Sequence, residues 1–156
     1  RRSSMIFFAI ISLTIIIDQI AKNLAIKYLQ PIGTYPLIED FFHLTYAENI
    51  GAAFSILQGK QVFLVATTIV FTTILLYYLI KTKTKKSTLL FKTSLSLIIG
   101  GAIGNLIDRI NLSYVIDFFD FRYINFAIFN TADSFVVVGT ILLAYAIIFG
   151  KTDNIF

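Results

Sequence analysis

Two aspartates have the setting to do chemistry together. Asp117 is a lone carboxylate in the apolar, aromatic run Val115-Ile116-Asp117-Phe118-Phe119, and Asp133 lies in Phe129-Asn130-Thr131-Ala132-Asp133-Ser134. Two close carboxylates in a partly dry site cannot both ionise readily, so one keeps a proton while the other stays charged. Such a pair can deprotonate a water and protonate a leaving amine, which is the chemistry of peptide-bond hydrolysis. Asp133 alone has an ordinary reading as a helix N-terminal acid favoured by the dipole. That reading does not account for Asp117, or for two carboxylates flanking one aromatic segment. The other reactive side chains are few. The sequence has no cysteine, which removes a thiolate nucleophile, disulfides and Cys-based zinc sites. Its one histidine, His43, excludes a His-rich metal site and leaves a Ser-His-Asp triad a single imidazole. His43 reads as a strand or interface residue rather than a base.

Other polar residues gather near the same level. Asp18 and Lys22 are four apart on one helix face and read as a self-neutralising structural pair. Asn105, Asp108 and Arg109 fall within one turn. They read as a hydrogen-bonded helix end, with Arg109 a carboxylate clamp or a lipid-headgroup contact. Asn49 opens Asn49-Ile50-Gly51-Ala52-Ala53-Phe54, where it can cap a turn, and the small residues suit close backbone approach. An aspartate inside a span costs about 2.5–3.5 kcal/mol on insertion scales, so such residues pair, line a cavity or act. Asn49, Asn105, Asp108, Arg109 and Asn130 are expected to face the same cavity as Asp117 and Asp133.

The elements that carry these residues are membrane spans. The 156 residues are 57% hydrophobic and only 14% charged, with a mean hydropathy of +0.82. A soluble domain of this size cannot hide that much apolar surface. The expected fold is a single domain over residues 5–156, a four-helix membrane bundle with a small extracytoplasmic β-rich cap. Spans of about 20 apolar residues are expected over Met5–Tyr28, Val62–Ile80, Leu89–Ile107 and Asp133–Gly150. The apolar stretch after Met5 lacks a small-x-small cleavage pattern and reads as a retained helix. Arg1–Ser4 are expected to be an expression remnant. Lys81, Lys83, Lys85, Lys86 and Lys92 cluster beside the connection between spans two and three. The positive-inside bias makes that connection cytoplasmic, and with it both termini. The net charge of +4 is topology information and does not suggest nucleic-acid binding. The cap is expected mainly near Tyr35 to Phe54. Phe42, Leu44 and Tyr46 alternate there with His43, Thr45 and Ala47 at the period of a strand. Tyr114-Val115-Ile116 is a second β-prone run.

Five motifs in order cover nearly the whole chain. They are Asp18-x-x-x-Lys22, Asn49-Ile-Gly51-Ala-Ala-Phe54, Gly100-Gly101-Ala-Ile-Gly104-Asn105-Leu-Ile-Asp108-Arg109, Val115-Ile-Asp117-Phe118 and Phe129-Asn130-Thr-Ala132-Asp133-Ser134. Together they resemble the lipoprotein signal peptidase (signal peptidase II) family. Thr131 stands where that family often has Ile, which leaves the acid in place. The resemblance implies an aspartic endopeptidase at the outer face of the bacterial cytoplasmic membrane. Its substrates would be prolipoproteins already carrying diacylglyceryl on a cysteine, cut just before that cysteine. It implies Asp117 and Asp133 as the catalytic dyad and Asn49, Gly51, Asn105, Asp108, Arg109 and Asn130 as site-shaping or substrate-holding residues. It also implies contact with membrane lipid, inhibition by globomycin-type cyclic peptides, and no cofactor.

Two other readings compete. A transporter or assembly factor would use the carboxylates for protons or cations, but shows repeated halves or broken helices at the midplane, and no repeat is visible. A Ser-Lys peptidase would use Ser134 and Lys22, but a general-base lysine should have no partner, and Asp18 is one turn away.

Overall fold

The structure, a computed structural model, describes residues 2–51 and 58–150, with backbone only for residues 2–4. Ala52, Ala53 and Phe54 of the second motif, and Lys151 beyond the fourth span, lie outside the described residues. Among the described residues, four helices are long and apolar enough to cross a membrane. Helix α1 (Arg2–Leu24) continues through a π-helical turn, Ala25–Leu29. Then come α2 (Gln61–Lys81), α3 (Leu89–Leu112) and α4 (Thr131–Phe149). In α2, Thr67, Thr68, Thr72 and Thr73 each donate a hydroxyl proton to a carbonyl one turn back, at 2.7–2.8 Å. Their hydroxyls are therefore satisfied inside the helix, as an apolar solvent requires.

Helix α3 is the central element. Its span is 56% buried, against 28% for α1 and 17% for α2 and α4, and it packs on all three. Small residues permit this. Gly101 lies against Ala132 and Val136 of α4, and a Cβ on Gly104 would stand 2.5 Å from Asp18 Oδ2. The helix also runs past the expected end near Ile107. It stops where Ser113 turns left-handed (φ 66°) and donates its N–H to Arg109 O. Asn105, Asp108 and Arg109 are thus held on a rigid helix.

The two ends of the bundle differ. Phe7, Leu79, Phe91, Leu95 and Ile99 form an apolar core at the end where α2 connects to α3. At the other end sits a three-stranded antiparallel sheet of β1 (Thr34–Ile38), β2 (Phe42–Asn49) and β3 (Val115–Phe121), in that order. Ile116 and Phe118 seat it on Ala25 and Leu29 of the π-helical turn. The cap includes β1 as a strand of its own, where Pro36 is tolerated because the strand is an edge. β3 extends to Phe121, well past the expected Tyr114–Ile116 run.

Register places the polar side chains. Leu44 pairs with Phe119, yet Ala47 pairs with Asp117, so β2 carries one extra residue between them. Such a bulge re-aims the strand beyond it. Asn49 then pairs with Val115, which sets it diagonally from Asp117 on one face. After β3 the chain turns at Arg122–Ile124 and folds back. Phe119 N–H donates to Phe129 O at 2.8 Å, and Phe129 N–H returns to Phe119 O at 3.1 Å. That pairing brings the start of α4 beside β3.

Candidate active site

Helix α4 opens with a reciprocal cap. Asn130 Oδ1 accepts the Asp133 N–H at 2.9 Å, and Asp133 Oδ2 accepts the Asn130 N–H at 3.1 Å. The helix-terminal reading of Asp133 is therefore correct, and it leaves the other oxygen available. Asp133 Oδ1 accepts from Asn105 Nδ2 at 2.7 Å. Asn130 also reaches β3, where its Nδ2 donates to Asp117 Oδ1 at 2.8 Å and to Ile116 O at 3.2 Å. Asp117 Oδ2 accepts from Asn49 Nδ2 at 3.2 Å. The two carboxylates come from different elements and meet on one residue, Asn130, which is 0% exposed.

Burial pushes the Asp117 carboxyl up to about 7, and the negative charge of Asp133 adds to the rise. Hydrogen bonds from Asn49 and Asn130 and the Lys22 ammonium pull the other way and do not cancel it. Asp117 therefore holds a proton where an ordinary carboxyl has lost it. Chemically, the arrangement sets a carboxyl that stays protonated towards neutral pH beside a second carboxylate.

A second polar layer lies behind them. Lys22 Nζ sits 2.9 Å from Asp18 Oδ2, 3.0 Å from Asp108 Oδ2 and 2.9 Å from Asn105 Oδ1. Asp18 Oδ1 accepts the Ala132 N–H at 2.9 Å, so an acid of α1 helps cap α4. Asp108 Oδ2 accepts the Ile116 N–H at 3.1 Å, tying α3 to the start of β3. Gln19 Nε2 bridges Asp18 Oδ2, Asp108 Oδ1 and Gly104 O at 3.1–3.2 Å. Asp18 and Lys22 do pair with each other, and the pair also fastens three helices at one point.

Both carboxylates line a cavity of about 620 Å³. Its walls are apolar, from Phe71 of α2, Val136, Val137 and Val138 of α4, and Phe126 and Phe129. Asn49, Asn105 and Arg109 join Asp117 and Asp133 on it, whereas Asp108 and Asn130 are not on its surface. Those two residues act from behind, because their hydrogen-bonding atoms are spent on neighbours. Gly51 enters through its carbonyl, which accepts from Arg109 Nη2 at 3.2 Å. Arg109 Nε is buried and has no partner among the described residues. A second recess of about 320 Å³, edged by Glu48, Asn125 and Ala127, also meets Asn49 and Asp117. Asp117 is thus reached from two sides.

Several site residues escaped the sequence reading. Gln19 had one signal, a polar amide beside Asp18 inside an apolar span. Thr68 and Phe71 line the cavity from a helix whose sequence shows only hydrophobicity. The Ser-Lys alternative loses its geometry: Ser134 Oγ donates to Asn130 O at 3.0 Å, and Lys22 is fully engaged elsewhere. His43 is buried in β2, with Nδ1 3.2 Å from Thr34 Oγ1. Among the described residues, no group of three or more His, Asp or Glu is placed to hold a metal ion.

The sequence profile of the family described as signal peptidase (SPase) II matches residues 10–149. The chain belongs to the signal peptidase II family. A lipoprotein signal peptidase of Caldanaerobacter subterraneus subsp. tengcongensis is 51% identical over 140 residues, covering 90% of this chain and 94% of that protein. One from Clostridioides difficile is 44% identical over 150 residues, covering 96% and 99%. The fold agrees as well. A bacterial membrane enzyme solved by the in meso method at 2.3 Å resolution aligns with a TM-score of 0.80 and 33% identity, over 91% of this chain and 87% of that one. As a member of that family the chain is a peptidase with membrane-spanning helices, so the cluster around Asn130 belongs to an enzyme.

Proposed function

We propose that this protein is an aspartic endopeptidase that removes signal peptides from diacylglyceryl-modified prolipoproteins, cutting before the lipidated cysteine. The observation that carries the reading is the meeting of Asp117 and Asp133 on Asn130 at the polar end of an otherwise apolar cavity. In this mechanism, protonated Asp117 hydrogen-bonds the scissile carbonyl oxygen while ionised Asp133 accepts a proton from water. The water oxygen attacks the carbonyl carbon. The carbon–nitrogen bond then breaks as the amine takes a proton from the pair, and the dyad returns with one proton. Asn105, Asn49 and Asn130 orient the carboxylates. Arg109 Nε, buried and facing no described acceptor, suits a substrate carbonyl or a lipid-headgroup oxygen. The apolar cavity suits signal peptide and acyl chains, and the polar recess suits the chain beyond the scissile bond. Globomycin-type peptides would inhibit by filling the apolar cavity.

The reading includes a location: the bacterial cytoplasmic membrane, with the site towards its outer face and both termini cytoplasmic. A cysteine at Gln58 should then react with an impermeant label applied from outside, and one at Ser87 should not. The chemical test is cleavage of a diacylglyceryl-modified prolipoprotein by the purified protein and by Asp117→Asn and Asp133→Asn. Each substitution keeps size and removes ionisation, so each should lower turnover by about 10⁴-fold, the upper range for a positioned acid or base. Substantial turnover by either variant in folded form would remove the aspartic mechanism.

A further inference from the structure

The layer behind the two carboxylates contains a cation that the hydrolytic step does not use. Lys22 is 2% exposed, and each of its three N–H bonds has an acceptor in Asp18, Asp108 or Asn105. An ammonium cannot accept a hydrogen bond, so it dictates how the Asn105 amide is turned. Oδ1 must face Lys22, which leaves Nδ2 for Asp133.

The next amide in the chain is over-subscribed. Asn130 Nδ2 has two N–H bonds and faces three oxygens: Asp117 Oδ1 at 2.8 Å, Asn105 Oδ1 at 3.0 Å and Ile116 O at 3.2 Å. Asn105 Oδ1 already accepts from Lys22, so it does not depend on Asn130. The shortest of the three contacts goes to Asp117.

We infer that Lys22 is a positioning residue that sets the direction of the donor chain Lys22–Asn105–Asn130, delivering one amide N–H to Asp133 and freeing another for Asp117. The inference rests on the aspartic reading of that pair and adds what holds it in register. The charged groups acting on Asp117 are Asp133 on α4, Arg109 on α3 and Lys22 on α1. Asp18 and Asp108 stand behind them on Lys22, Glu48 of β2 edges the recess that Asp117 meets, and Asp120, paired with His43, lies on the other face of β3. Of these, Asp133 drives Asp117 towards its protonated form and Lys22 opposes it. Removing Lys22 deletes an opposing cation and calls the Asn130 N–H back towards Asn105. Both changes make Asp117 hold its proton to higher pH.

Lys22→Met alone leaves Asp18 and Asp108 facing each other in a buried site and risks unfolding. The informative pair is therefore Asp18→Asn against the double variant Asp18→Asn/Lys22→Met, in which the position-18 amide oxygen can still accept the Ala132 N–H. The measurement is an infrared titration of the protonated carboxyl stretch of Asp117, identified by its loss in Asp117→Asn, with folding checked by thermal melting. The midpoint should rise by about one pH unit in the double variant. Lys22→Arg, which keeps a donor-only cation, should hold it near wild type. An unmoved midpoint in the folded double variant, or one moved equally by Lys22→Arg, would make Lys22 a structural residue only. The titration needs no turnover, so failure of wild type to cleave lipidated prolipoprotein would sink the proposed function separately.

Discussion

Lys22 and Lys92 are both 2% exposed, yet they are satisfied in different ways. Lys92 lies at the apolar end of the bundle. Its ammonium donates to Thr82 O and Thr84 Oγ1, both at 2.9 Å, and stands 4.9 Å from the Phe7 ring centroid. All these partners are neutral, and their effect is to close the C-terminal end of α2 and hold the turn into α3. Lys22, at the end carrying the sheet, faces two carboxylates and an amide that leads on to a third carboxylate. One buried lysine finishes a helix, and the other belongs to a network whose members reach the cavity. The contrast shows how α3 serves two purposes: packing near Ile99 and polar support near Asn105.

Substitutions at the two lysines and at Asn105 separate the two ends of the bundle. Lys22→Met should have the largest effect on stability, because it leaves two buried acids without their cation. A loss of about 3–5 kcal/mol is expected for a broken buried ion pair, read by thermal or denaturant unfolding in detergent. Asn105→Ala should stay folded and lose roughly 10²-fold in prolipoprotein turnover, since Asp133 then lacks its 2.7 Å donor. Full turnover by that variant would confine Asn105 to a structural part. Lys92→Met should have the smallest effect, about 1–2 kcal/mol of stability for its lost hydrogen bonds, with turnover unchanged. A fall in turnover for folded Lys92→Met comparable to that of Asn105→Ala would erase the distinction between the two ends.

Much of this arrangement was legible in the sequence, for physical reasons. Charge-free runs located the spans, because an apolar solvent permits little else. Asp133 could be assigned to a helix start because acids favour that position, and the same cap proved to hold it beside Asn105. The edge strand β1 was hidden because all five of its residues are exposed, so no alternation marks it. β3 was underestimated for the opposite reason: Val115 through Phe118 are all buried, and a strand covered on both faces has no period of two. Gln19, Thr68 and Phe71 were out of reach because their roles depend on which helix faces which. Asn49 and Arg109 lie on the cavity as expected, placed there by the β2 bulge and the extra turn of α3. Asp108 and Asn130, expected there too, are instead turned behind it by their hydrogen bonds to Lys22, Ile116 and Asp117.

The proposed mechanism needs one proton shared by Asp117 and Asp133, and the pH dependence of turnover tests that requirement most directly. Asp117 is raised to about 7 by burial and by Asp133. The singly protonated pair should therefore be lost as pH rises through that value, when the second carboxyl ionises. Cleavage of a diacylglyceryl-modified prolipoprotein at saturating substrate should be highest below this point and fall about tenfold per pH unit well above it. A rate that stays level or climbs from pH 6 to about pH 9, with wild type folded throughout, would contradict a shared proton at this site.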